Sequence, residues 1–198
     1  MHKLDDYLTQ NPKQHLIFDL DETIVKLELP WDIFVDKAWE MFDGIDHKLV
    51  QANPHTITRT NNMMNMLIAE HGDDVKKEIY DYLEFFEIHY LKEVSLNDSL
   101  IEWLLENQKK YKYHLWTSQM HRTVEHVLQM VNLSGNFDKI VSRDMVKFTK
   151  PYPDGFDLIR TGLRVSHEKY LMVGDSEFDE QAAKRVKIDF FFEDFFKK

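Results

Sequence analysis

The sequence predicts an α/β fold: a three-layer core in which helices cover both faces of a parallel β-sheet, with an α-helical segment inserted after the first strand. Three observations predict it. Short apolar runs alternate with helix-like patterns through the second half of the chain, the signature of strand–helix–strand units. Several of these runs stop abruptly at Asp, Thr or Gly-Asp, as strands buried on both faces do where they leave a sheet. Between the first such run and the alternation lies a long, mostly helical stretch.

The first strand is His15-Leu16-Ile17-Phe18, which runs into Asp19-Leu20-Asp21-Glu22. A helix is expected over residues 30–43, where Trp31, Phe34, Val35, Ala38 and Phe42 recur at helical spacing and Pro30 suits a first turn. Asn53-Pro54 marks a break. Two further helices are expected over residues 61–69 and 73–91, separated by Gly72. Asn97 or Asp98 can cap a helix carrying Leu100, Ile101, Leu104 and Leu105. Tyr113-His114-Leu115-Trp116 is the next strand, and a helix over residues 120–131 follows. Asp138-Lys139-Ile140-Val141 is a shorter strand. Asp154 is expected to cap a helix over residues 154–161. Lys169-Tyr170-Leu171-Met172-Val173 ends at Gly174-Asp175, a helix covers residues 177–186, and residues 188–192 form a last edge strand. Residues 1–23 and 98–198 are thus expected to form the α/β core, and residues 24–97 the helical insertion.

Composition narrows the function. The chain has 198 residues, 43% hydrophobic and 30% charged, with a mean hydropathy of −0.49, ordinary values for a globular protein. Twenty-five Lys and Arg against 35 Asp and Glu leave a net charge of −10. That excess offers no general electrostatic attraction to nucleic acid or to an anionic membrane. An anionic substrate would need local cations. The absence of cysteine removes disulfides, zinc–thiolate sites and thiol nucleophiles. No apolar run is long enough to span a bilayer, and the N-terminal residues have no signal-peptide core, so the expected location is the cytoplasm.

Ligands of open α/β sheets bind beyond the carboxyl ends of the strands, and four polar clusters fall there. Asp19 and Asp21 lie two residues apart, a spacing that can turn both carboxylates toward one site. Held together they repel unless a proton or cation lies between them. Asp175 would bring a third carboxylate from another strand. Hard oxygen donors of this kind suit Mg²⁺. Asp179, one helical turn on, could support the metal shell or Lys150. Lys150, stiffened by Pro151 and Pro153, is a candidate phosphate partner. Thr117 and Ser118 could bind a phosphoryl oxygen through hydroxyl and backbone N–H. Each cluster also has a plain structural alternative: a helix cap, a solvated turn or a surface lysine.

In this order the clusters resemble the haloacid dehalogenase superfamily of phosphohydrolases. The motifs are Phe18-Asp19-Leu20-Asp21-Glu22-Thr23, Leu115-Trp116-Thr117-Ser118, Lys150-Pro151-Tyr152-Pro153-Asp154-Gly155-Phe156 and Val173-Gly174-Asp175-Ser176-Glu177-Phe178-Asp179. The resemblance implies a Rossmann-like core and a helical cap similar to that of the phosphoglycolate phosphatase and β-phosphoglucomutase branch. It implies that Asp19 is a nucleophile forming an aspartyl-phosphate, and that Asp21 is a general acid and base. Thr117, Ser118 and Lys150 would bind the substrate phosphate. Asp19, Asp175 and the main-chain carbonyl of Asp21 would hold Mg²⁺, Asp179 would support them, and Thr23 would steady the first loop. The sequence departs from the branch at Glu22, where Gly is frequent, and at Gln119, near which Asn is frequent.

The implied activity is Mg²⁺-dependent hydrolysis of a small phosphate monoester. A phosphomutase or phosphotransferase of the same superfamily and a non-catalytic phosphometabolite-binding protein are the alternatives. An acid at position 21 favours phosphoryl transfer over dehalogenation. A cap of about seventy residues, as the resemblance implies, favours a small phosphorylated metabolite over a protein. Arg59 is a candidate contact for a second anionic group of the substrate. His121, His126, Met63, Met64 and Met66 read as surface or packing residues, Trp31 and Phe34 as helix packing or cleft lining, and Phe195-Phe196 as a packed tail or a dimer contact.

Overall fold

The computed structural model describes residues 2–53 and 57–195, with side chains throughout except at residues 57–59. Arg59 and Phe196 therefore lie outside the described side chains. The chain divides into two compact units, one of Met1–Leu27 with Glu93–Lys198 and one of Glu28–Lys92.

The larger unit begins with α1 (Lys3–Gln10), which sequence reading missed; its two turns bury only Leu4 and Leu8, too few positions to establish a period. Five strands then build a sheet in the order β5-β4-β1-β6-β7. They are β1 (His15–Phe18), β4 (Lys112–Trp116), β5 (Lys139–Val141), β6 (Tyr170–Gly174) and β7 (Asp189–Phe192). Every pairing in it is parallel. The central strand β1 is buried along its whole length, which explains its unbroken apolar run. Helices α6 (Asp98–Asn107), α7 (His121–Met130), α8 (Asp154–Arg160) and α9 (Glu177–Val186) connect the strands.

On one face of the sheet Ile17, Trp116, Phe156, Tyr170, Met172 and Ala183 join one buried cluster. Phe156 meets Tyr170 edge-to-face at 5.2 Å, and full burial of each such side chain is worth roughly 1.5–3 kcal/mol. Gly155 allows this packing: a Cβ there would lie 2.1 Å from Trp116 Nε1. On the other face Phe18 meets Tyr113 edge-to-face at 5.6 Å.

Two three-residue strands, β2 (Val25–Leu27) and β3 (Val94–Leu96), form a separate antiparallel pair. Three residues are too few to show alternation, so this ribbon was not foreseen. It belongs to the larger unit, which accordingly extends past the expected boundaries at residues 24 and 97. A second difference concerns α8. Pro153, not Asp154, occupies its N-cap position, and the Asp154 carboxylate instead accepts from the backbone N–H of Phe148 at 3.1 Å. It closes the loop before the helix because that loop folds back within reach.

Among its described residues the smaller unit has helices as its regular elements: α2 (Trp31–Ile45), α3 (His47–Gln51), α4 (Ile57–His71) and α5 (Asp73–Tyr90). Phe34 stacks on Tyr82 at 5.7 Å and meets Phe86 at 5.0 Å. Met63 and Met64 are buried, as packing residues should be. The short α3 escaped the sequence reading because five residues carry too little periodicity; Asp46 caps it by accepting from Leu49 N at 2.9 Å.

Two buried histidines face each other across β1 and β4. His15 Nδ1 lies 2.9 Å from His114 Nε2, and the rings stack with centroids 5.2 Å apart. Burial, reinforced by His15, pushes the His114 pKa down to about 4 from an ordinary value near 6.5. Below pH 6.5 the unfolded chain therefore takes up a proton that the folded imidazole refuses. The His114 contribution to stability is full above pH 6.5 and is lost as pH falls toward 4. We predict a loss on the order of 3 kcal/mol across that window. In urea unfolding at pH 7 and pH 4.5, the drop in stability should be smaller for His114→Phe than for the wild type.

Candidate active site

Parallel pairing carries the ends of β1, β4 and β6 to one edge of the sheet. Phe18 is level with Leu115 on one side and Val173 on the other. The next residue after each strand is polar. Asp19 N–H donates to Val173 O at 3.0 Å, and Thr117 N–H donates to Val141 O at 3.0 Å. Asp175 follows β6. Lys150 arrives at the same edge from the loop before α8, with a cis peptide to Pro151.

Lys150 joins these elements. Its ammonium donates to Asp19 Oδ1 at 2.7 Å and to Asp179 Oδ1 at 2.5 Å, with only 3% of its side chain exposed. Burial alone would strip the charge from Lys150, but Asp179 and Asp19 outweigh it and hold the pKa above the ordinary lysine value. Asp19 is pushed well above the carboxylate range by burial, with repulsion from Asp179 and Asp175 adding to it and Lys150 opposing. Burial and Asp179 likewise raise Asp175, to about 6, against the pull of Lys150.

Asp179 is held from both sides. While Oδ1 takes Lys150, Oδ2 accepts from Ser176 N–H at 3.1 Å and from Ser176 Oγ at 2.5 Å. Ser176 and Asp179 thereby form a capping box at the start of α9. The cap and the candidate site thus share one residue. Gly174 makes room for it, since a Cβ there would fall 2.6 Å from Asp179 Cγ.

The first loop is a tight turn. Leu20 O accepts from Ile24 N–H at 3.0 Å and Val25 N–H at 3.1 Å. Glu22 sits at φ +59°, where a side chain costs about 1 kcal/mol and glycine costs little. That conformation gives physical meaning to the departure from Gly at this position. Asp21 Oδ1 accepts from Leu27 N–H at 2.8 Å, and Oδ2 lies 3.5 Å from Gln119 Nε2. Thr23, fully buried, donates to Asp175 Oδ1 at 3.2 Å, so it reaches beyond the first loop that it was expected to steady.

On β4's side the Thr117 hydroxyl donates to Gln119 Oε1, and the carbonyl of Ser118 accepts from Arg143 Nε at 2.6 Å. Sequence reasoning overlooked Gln119 and Arg143 as parts of this edge. Gln119 could have been suspected, being two residues from Thr117. Arg143 carried no signal, because its contact spans 25 residues.

Three carboxylates, from Asp19, Asp175 and Asp179, each place an oxygen so that the three atoms lie within 4.8 Å of one another. Among the described residues only the Lys150 ammonium offsets them within hydrogen-bonding distance, so ionising all three leaves a local charge of two negative units there. Burial raises Asp19 and Asp175 most, and repulsion from the neighbouring carboxylates adds to it. A hard divalent cation fits the donor set. Since Asp179 is engaged on both oxygens, Asp19 and Asp175 are the carboxylates better placed to ligate directly.

The family model described as haloacid dehalogenase-like hydrolase matches residues 16–192. Pyrophosphatase PpaX of Bacillus cereus is 33% identical over 106 residues, covering 53% of this chain and 49% of that protein. The chain thus spans about half the length of these curated relatives. Phosphoglycolate phosphatase of Aquifex aeolicus is 27% identical over 177 residues, covering 86% of this chain and 80% of that protein. Among solved structures, a haloacid dehalogenase-like hydrolase from Bacteroides fragilis superposes with a TM-score of 0.64 at 18% identity, over 90% of this chain and 86% of that one. This last likeness is one of fold.

Adding a methyl group at Gly174 should displace Asp179 and with it the buried ion pair. Gly174→Ala is expected to lower unfolding free energy by about 1–3 kcal/mol, measured by chemical denaturation at pH 7.

Proposed function

We propose that this chain, which belongs to the haloacid dehalogenase-like hydrolase family, is a Mg²⁺-dependent phosphatase of small phosphate monoesters. One observation carries the reading. A buried ammonium from the loop before α8 converges with the carboxylate of Asp19 after β1 and those of Asp175 and Asp179 at the junction of β6 and α9, where the strands of an open sheet end.

Asp19 is the nucleophile. A carboxylate oxygen attacks phosphorus, the bond to the ester oxygen breaks, and an aspartyl-phosphate forms. Asp21 delivers a proton to the departing alkoxide, then removes one from the water that attacks the aspartyl-phosphate, releasing phosphate and regenerating Asp19. Leu27 N–H and Gln119 hold the Asp21 carboxylate in one orientation. Lys150 carries three donor protons. Two meet Asp19 and Asp179, and the third is assigned to a phosphoryl oxygen. Thr117, once its hydroxyl proton turns from Gln119 Oε1 to the substrate, and Ser118 bind the remaining oxygens through hydroxyl and backbone N–H, where negative charge must be stabilised. Asp19, Asp175 and the main-chain carbonyl of Asp21 would hold Mg²⁺, and Asp179 keeps Lys150 in place. Bound Mg²⁺ would neutralise charge on the phosphoryl group.

The substrate class follows the relatives. Phosphoglycolate phosphatase and pyrophosphatase are named for small phosphorylated molecules, and the same class is proposed here. The expected cap over residues 24–97 narrows to the unit Glu28–Lys92, which is proposed to select among such molecules, with Met1–Leu27 and Glu93–Lys198 as the catalytic core.

The test is phosphate release from phosphoglycolate, pyrophosphate, sugar phosphates, nucleotides and an aryl phosphate, with Mg²⁺ or with chelator. Release should require Mg²⁺ and vanish in Asp19→Asn. Full activity of that variant would refute the covalent route. Asp21→Asn should lower kcat by roughly 10²–10⁴-fold with little change in KM; a change confined to KM would refute acid–base chemistry at Asp21. Lys150→Met should lower kcat/KM and also destabilise the fold by about 3–5 kcal/mol, since it leaves buried carboxylates without their partner. Activity and denaturation measured on the same preparation separate the two effects.

A further inference from the structure

We propose that Asn97 is a positioning residue for Asp175, acting through a closed ring of hydrogen bonds that includes Glu193 and Thr23. The inference rests on the reading of Asp175 as a Mg²⁺ ligand and names two residues outside the motifs of the proposed site.

The ring is built as follows. Asn97 Nδ2 donates to the carbonyl of Thr23 at 3.0 Å and to Glu193 Oε1 at 3.2 Å. Glu193 N–H donates at 2.9 Å to the carbonyl of Gly174, the residue before Asp175. Thr23 Oγ1 donates to Asp175 Oδ1 at 3.2 Å. Covalent bonds complete the circuit through Gly174-Asp175 and through Thr23 itself. The Thr23–Asp175 contact is thus clamped from both sides: Asn97 holds the backbone carrying the hydroxyl, and Glu193 holds the backbone carrying the carboxylate. Asn97, Glu193 and Thr23 are all buried, so water competes poorly for these bonds.

The amide of Asn97 can occupy the ring in one orientation only. Its Oδ1 accepts from Leu100 N–H at 3.3 Å and from Ser99 Oγ at 3.1 Å. With both Nδ2 protons used, its four hydrogen-bonding positions are filled. A flipped amide would set its oxygen against the Thr23 carbonyl and the Glu193 carboxylate, all acceptors. The backbone N–H of Asn97 adds a bond to Ile24 O at 3.0 Å. His2 Nε2 lies 3.4 Å from Glu193 Oε1 and further restrains that side chain. A helix cap needs only the oxygen of Asn97; the two donated bonds into the first loop and Glu193 have no role in capping α6.

The second function can therefore be separated from the first. Asn97→Ser keeps an oxygen able to cap α6 and removes both donors. Glu193→Gln keeps the acceptor oxygen, and Glu193→Ala removes it. The readout is binding of Mg²⁺ alone to the metal-free protein by titration calorimetry, alongside thermal unfolding of the metal-free protein. Asn97→Ser and Glu193→Ala are each expected to weaken Mg²⁺ binding about tenfold, the effect of losing a group that orients a ligand. Glu193→Gln should remain within about threefold of the wild type because the accepted bond survives. Affinity unchanged in Asn97→Ser would overturn the proposal, as would equal losses in Glu193→Gln and Glu193→Ala. If Asn97→Ser does not fold, Glu193→Ala decides, because it leaves the cap intact. Mg²⁺ binding without phosphate release from any substrate would overturn the phosphatase reading and leave this inference standing. Normal turnover with unchanged Mg²⁺ affinity in Asn97→Ser would do the reverse.

Discussion

A buried ammonium surrounded by carboxylates constrains the rest of this structure. Lys150 can remain charged under cover only because Asp19 and Asp179 accept from it at 2.7 and 2.5 Å. Those two residues come from different ends of the chain, so the ion pair fixes β1's exit loop against α9 and the loop before α8. The arrangement also sets three carboxylates against one ammonium. It therefore binds the fold together and leaves carboxylate oxygens that fit a hard cation. Structural cohesion and the proposed phosphoryl chemistry are two consequences of one electrostatic imbalance.

The sheet makes this concentration of charge possible. Parallel strands with matched register deliver three chain segments to one edge. Apart from the His15–His114 pair, mostly apolar side chains cover the buried strands, and the polar residues of the site gather beyond the strand ends. Two glycines set the tolerances there. Gly155 lets α8 approach Trp116, and Gly174 lets Asp179 fold over the backbone of β6. A methyl group in either place would push apart elements that must meet within hydrogen-bonding distance.

Much of this was legible in the residues. β1 and β6 were visible as unbroken apolar runs because both are buried on both faces. The longer helices were visible because aromatic and aliphatic residues recur along one side. Asp19, Thr117 and Asp175 stood out as polar groups at the ends of apolar runs, and Lys150 as a lysine stiffened by Pro151 and Pro153 in the loop after a strand. What escaped notice was short or shared. α1, α3 and the β2–β3 ribbon bury too few residues for a period to emerge. Asp154 was assigned to the wrong partner because a carboxylate at a helix start can cap that helix or serve the loop before it, and only the path of the loop decides. Asn97 was one of two cap candidates beside Asp98, and the structure gives it the cap; its second set of bonds runs to Thr23 and Glu193, 74 and 96 residues away.

The sequence by itself determined the order of the sheet strands and the longer helices, the parallel α/β class and the residue types at the strand ends. These depend on local periodicity and burial, which neighbouring residues impose on one another. Only the tertiary structure decided which of those polar groups touch. It paired Lys150 with Asp179 as well as Asp19, turned Thr23 onto Asp175, drew Gln119 and Arg143 to the edge, and closed the ring through Asn97 and Glu193. Such contacts join segments far apart in the chain. Their geometry is set by the packing of the whole sheet with its helices, and no local stretch of sequence encodes it.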